Sequence, residues 1–205
     1  MLIKIFLLAC LLINTSQVWA DIYTLKWKAN GEIIAESELT ISDGFATART
    51  GEEVERFNLD KLSWQHDDSE EWVSLAQCEQ WAEQSKLKSE NSNEVVPEKI
   101  RSFLAWSLNP TFKVEATNTT LSMISGQIDY VVTSKRGDLD LTSYFLFAKL
   151  NAYKKAMTER KLMPFAELHV LKELERRKLM PASMEVRIPG IEGAPTMTVT
   201  IETNR

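Results

Sequence analysis

Apolar and polar residues alternate strictly from Asp21 onward, after an apolar leader. Tyr23, Leu25, Trp27 and Ala29 fall on one face of an extended segment, with Thr24, Lys26 and Lys28 on the other. Asn30-Gly31 follows, and both residues tolerate the positive φ that a two-residue hairpin turn requires. The return strand is expected to turn Ile33, Ala35, Leu39 and Ile41 inward and Glu32, Glu36, Glu38 and Thr40 outward. Asp43-Gly44 makes the next turn. Residues 45–50, 53–59 and 62–66 read as three further strands, and Trp72-Val73 as a short sixth.

The period then changes from two to nearly four. Ser74-Leu-Ala-Gln77 has the form of a capping box, and Leu75, Cys78, Trp81 and Ala82 make one helical stripe. The polar run 83–93 is expected to end that helix in a solvated linker. Pro97 opens another, whose Ile100, Phe103, Leu104 and Leu108 align before Asn109-Pro110 stops it. Two or three strands return, over 111–116, 120–125 and 127–134. A long helix is predicted over about 140–160. Its segment Tyr144-Phe-Leu-Phe-Ala148 is apolar nearly all round and so calls for cover on more than one side. A shorter helix over 164–178 carries Phe165, Leu168, Leu171 and Leu174. A hairpin closes the pattern, with Met184, Val186 and Ile188 facing the same way as Met197, Val199 and Ile201 across Pro189-Gly190. Arg160-Lys-Leu-Met-Pro164 recurs as Arg177-Lys-Leu-Met-Pro181, each copy setting basic residues at a helix C-terminus before a proline. These elements predict one α+β domain over 21–205: an antiparallel, half-barrel-like sheet of about eight to ten strands with helices packed on one face.

Residues 1–20 read as a signal peptide. Lys4 supplies the positive start, residues 5–13 the apolar run, and Val18-Trp19-Ala20 the small-residue cleavage site, giving a mature chain from Asp21. Leu7-Leu8-Ala9-Cys10 has the shape of a lipoprotein cleavage site. Its short spacing from Lys4 and the apolar residues beyond Cys10 favour cleavage at Ala20. No segment is long and apolar enough for a transmembrane helix. The expectation is a periplasmic or secreted protein, and Cys78, alone in the mature chain, has no partner for an internal disulfide.

A net charge of −5 argues against nucleic acid as a partner, because phosphate recognition needs a basic footprint. Catalytic chemistry is thin. Cys78 lies on an apolar stripe, His66 and His169 are the only histidines, and no serine has a Gly-x-Ser-x-Gly elbow. His66, Asp67, Asp68, Glu70 and Glu71 are the one cluster of metal-ligand types and read as a solvated hairpin loop, so neither metal nor cofactor is expected. Charge separates along the chain: residues 32–71 hold twelve acidic and three basic residues, whereas 141–181 hold nine basic and four acidic. The halves either attract one another within the fold or leave Lys149, Lys154, Lys155, Arg160 and Lys161 as a basic patch for anionic lipid or an acidic partner.

Residues 32–43, Phe57-Asn-Leu-Asp60 and Leu62-Ser-Trp64 resemble a bacterial branch of the half-barrel superfamily related to periplasmic lipoprotein carriers. The resemblance implies a curved sheet with helical cover. The chain departs from the carriers in having no amphipathic helix before its first strand, so none of their ligand residues carries over. The leading expectation is an exported, non-enzymatic binding protein that holds a lipid or other apolar ligand between sheet and helices. Tyr23, Trp27, Trp64, Phe145 and Phe147 are its candidate lining. A protein–protein interaction module of the cell envelope is the alternative, and an exported hydrolase the third.

Overall fold

Eleven strands pair into one open antiparallel sheet, joined by four helices among the described residues. The structure is a computed structural model and describes residues 20–65, 70–91, 96–135, 141–159, 163–189 and 193–204. Residues 1–19, Cys10 among them, and His66, Asp67, Asp68, Arg160 and Lys161 lie outside these residues.

Strands β1 (Asp21–Ala29), β2 (Glu32–Ser42), β3 (Phe45–Thr50), β4 (Glu53–Asn58), β5 (Ser63–Gln65) and β6 (Trp72–Ser74) form a meander from the sheet's middle to one edge. Helices α1 (Leu75–Glu90) and α2 (Glu98–Leu108) lead to the far edge. There β7 (Lys113–Ala116), β8 (Thr120–Ile124) and β9 (Asp129–Lys135) meander back inward. Helices α3 (Leu141–Thr158) and α4 (Phe165–Arg177) intervene before β10 (Met180–Arg187) and β11 (Met197–Asn204) complete the centre. The strand order is β6-β5-β4-β3-β2-β1-β11-β10-β9-β8-β7.

The first two turns of the opening meander take the left-handed backbone that their sequences invite: φ is 50° and 88° at Asn30 and Gly31, and 48° and 71° at Asp43 and Gly44. At Gly44 a Cβ would also lie 2.3 Å from Asp60 Oδ2, so a side chain there would have to push that carboxylate aside. The inward positions of the strands supply the core. Tyr23, Leu39, Phe57, Trp64, Leu121, Met123 and Val132 are fully buried in one cluster with Leu150 of α3 and Val170 and Leu174 of α4. Tyr23 meets Tyr144 at a ring separation of 6.0 Å, and Phe57 meets Phe147 edge-on at 5.0 Å. Helix α3 buries Tyr144, Phe145, Phe147, Leu150 and Tyr153, as its all-round apolar segment demands.

Four expectations need correction. The sheet has eleven strands, since β6 and the whole β7–β9 meander are present. Ile33 is exposed, not inward. A bulge between Trp27 and Lys28 sets Ala35 opposite Trp27 but Ile33 opposite Lys28, which moves Ile33 off the core face and leaves Ile34 exposed beside it. Helix α1 runs on through the polar stretch to Glu90. Finally, Ile100 and Leu104 of α2 are exposed, and that helix buries Ser107 and Leu108 and half-buries Phe103 and Trp106.

Candidate functional site

The apolar stripe of α3 carries two small residues one turn apart, Ala152 and Ala156, where its neighbours carry large ones. Two alanines at this spacing leave a shallow face on the helix. The result is an open cleft of about 500 Å³ among α2, α3, the start of α4 and the start of β9. Its walls are Trp106 and Ser107 of α2, Ile128 and Tyr130 at β9, and Met163, Pro164 and Ala166 where the chain enters α4. Lys155 and Glu167 are the charged residues of the lining.

An aromatic train holds this wall in place. Phe103 and Trp106 lie 6.0 Å apart on α2, Trp106 meets Phe112 edge-on at 5.7 Å, and Phe112 meets Tyr130 at 5.9 Å and His169 at 5.5 Å. The indole Nε1–H of Trp106 reaches the Thr111 carbonyl at 3.4 Å, and the Ser107 hydroxyl donates to the Leu104 carbonyl at 2.7 Å. Burial, reinforced by the Glu167 carboxylate, pushes the Tyr130 phenol above its ordinary range, so it stays a neutral wall residue. Lys155 Nζ stands 4.4 Å from the centroid of the Trp27 ring, a cation–π contact between helix and sheet.

Of the five aromatic residues singled out in the sequence, four fill the core. Tyr23 and Trp64 have no exposed surface, and Phe145 and Phe147 keep 5% and 4%. Phe145 also borders a smaller groove of about 350 Å³ between α3 and α4, with Leu146, Leu168 and Leu171. Trp27 is half-buried and reaches the cleft region through Lys155. The basic residues part company in the fold. Lys149 pairs with Glu79 at 2.9 Å, and the buried Lys154 pairs with Glu55 of β4. Lys154 thus answers the acidic strand half of the same molecule, and Lys149 a carboxylate on α1.

Cys78 is buried and accepts a hydrogen bond from Trp64 Nε1 at 3.3 Å. Burial pushes its thiol up, so it stays protonated and a poor nucleophile. His169 is spent on the Phe112 ring. Among the described residues, no group of three or more His, Cys, Asp or Glu side chains is placed to hold a metal ion.

Sequence reasoning missed Trp106, Tyr130 and Met163. A signal existed in the Phe103/Trp106 pair three residues apart, followed by Phe112, and in the Ala152/Ala156 pair on an otherwise bulky helix. In comparison with known proteins, no family model and no curated protein matches the chain.

Proposed function

We propose that this is an exported, non-enzymatic binding protein that carries a small apolar ligand in the cleft among α2, α3, α4 and β9. In this reading the open sheet is a half-barrel and the helices pack on its concave face. The leader over residues 1–20 directs export and leaves a mature chain from Asp21. The observation that carries the proposal is the cleft itself. Its volume of about 500 Å³ is of the size that holds small ligands, and its wall combines aromatic, aliphatic and methionine side chains with few polar groups. Protonated Cys78 and a histidine packed on an aromatic ring give no support to a hydrolase.

The test is uptake of the neutral fluorescent probe N-phenyl-naphthylamine by the purified mature protein, beside mass spectrometry of lipids extracted from protein taken from its native envelope. Wild type is expected to bind the probe. Ala156→Phe, which fills the cleft, is expected to lose binding while keeping a cooperative thermal melt. Equal uptake by a folded Ala156→Phe protein, or none by wild type, defeats the reading.

One observation favours the interaction-module alternative: β7 lies at the sheet's edge and is exposed at every position from Lys113 to Ala116. An envelope protein that cross-links to this strand, and is lost with Val114→Pro, supports it.

A further inference from the structure

Three lysines of α3 were expected to act alike, and the structure separates them. Lys149 and Lys154 each end on a carboxylate, Glu79 and Glu55. Lys155 ends on the Trp27 ring and meets no carboxylate among the described residues. It is also the one of the three that lines the cleft. An ammonium over an aromatic face keeps its full charge and its donors, because the ring supplies a quadrupole and no acceptor oxygen. The same contact holds the lysine stem against the sheet, so the charge is presented in a preferred place at little further entropic cost on binding.

A mostly apolar lining that includes a lysine without a carboxylate partner among the described residues makes an amphiphilic site. We infer that the ligand of this cleft is a single-chain anionic amphiphile, its chain lying against Trp106, Ile128 and Met163 and its acidic head on Lys155. Glu167 is the other charged residue of the lining. It stands in the first turn of α4, where the helix N-terminus favours a negative charge, and it has an interaction partner of its own. A carboxylate and a phosphate monoester share the chemistry that Lys155 selects, an anionic oxygen on a flexible chain.

This inference rests on the binding reading above, and its test separates the two. Isothermal titration of the mature protein uses dodecanoate, dodecyl phosphate and dodecanol below their micellar concentrations, at neutral pH where both acids are ionised. Wild type is expected to prefer the two anions over the alcohol by about tenfold or more, the usual weight of a charge-assisted contact. Lys155→Met keeps the stem on Trp27 and removes the charge. It should lose the preference for both anions while still taking up the alcohol. A preference for one anion alone identifies carboxylate or phosphate as the source, and still requires Lys155. Equal binding of anion and alcohol by wild type, or an unchanged preference in a folded Lys155→Met protein, overturns the inference and leaves the binding reading standing. Failure of all three ligands to bind removes the binding reading itself.

Discussion

At the residue scale, the packing of Phe147 gives the sharpest expectation. Its ring meets Phe57 edge-on at 5.0 Å in a core without open surface, so Phe147→Ala should cost about 3–5 kcal/mol. Urea denaturation checks this, and a loss below about 1 kcal/mol would mean that the site collapses freely or is not packed. Ionisation of buried phenols gives a second. Burial raises Tyr153 to about 12 and moves Tyr130 and Tyr144 upward too, whereas in the unfolded chain tyrosines titrate near an ordinary value of about 10. The folded state therefore holds these protons more tightly. Their contribution to stability is whole below about pH 10 and fades as pH rises toward 12. Urea midpoints should fall across that interval, with tyrosinate absorbance from these three rings growing only as circular dichroism is lost. Complete tyrosinate absorbance in a still-folded protein would contradict it. Alternation in the sequence marked Tyr23 and Trp64 as inward-facing, and they are. It could not say whether the inward side is filled or hollow, because a periodic pattern records which residues avoid water and not how much space they leave. That is why the four buried aromatics read as ligand candidates, while the cleft arises where α3 has alanines.

At the scale of elements, the start of α1 was legible to the residue. Ser74 Oγ accepts from the Gln77 N–H at 3.3 Å, and Gln77 Oε1 accepts from the Ser74 N–H at 2.8 Å. Ser74→Ala should therefore cost about 1 kcal/mol, read from the urea midpoint, and Ser74→Asp should restore most of it. An alanine variant as stable as wild type would show that this cap is dispensable. The other end of α1 was not legible. The polar run after Ala82 looks like linker in one dimension, but its Glu, Gln and Lys residues are good helix formers. Tertiary contacts then hold the extension: Lys86 donates to Asn109 Oδ1 at 2.8 Å and stands 5.8 Å from the Phe165 ring centroid. The bulge that exposes Ile33 was hidden for a similar reason. Inserting one residue flips the parity of a strand without altering its composition.

Over the whole molecule, stability is carried by packing and backbone pairing with no disulfide contribution from Cys78, which is free and buried. The thermal midpoint of a chain starting at Asp21 should be the same with and without a thiol reductant, and Cys78 should react with an alkylating reagent only in denaturant. A midpoint that drops on reduction, or alkylation of the native protein, would show the thiol to be engaged or exposed. The fold class was legible at this scale because strand and helix periods separate cleanly along the chain. The route through the sheet was not. Local pattern shows that β7, β8 and β9 are neighbours, but nothing in it says that they join the first meander through β10 and β11. That arrangement puts β1 beside β11, in register from Ile22 opposite Asn204 to Ala29 opposite Met197. The central seam therefore joins the first strand to be synthesised to one made after every other element described. Until β11 arrives, one whole flank of β1 offers unpaired amides and carbonyls in the middle of the future sheet. The polypeptide must wait for its own far end before its central seam can close, a long-range pairing of the kind that slows folding.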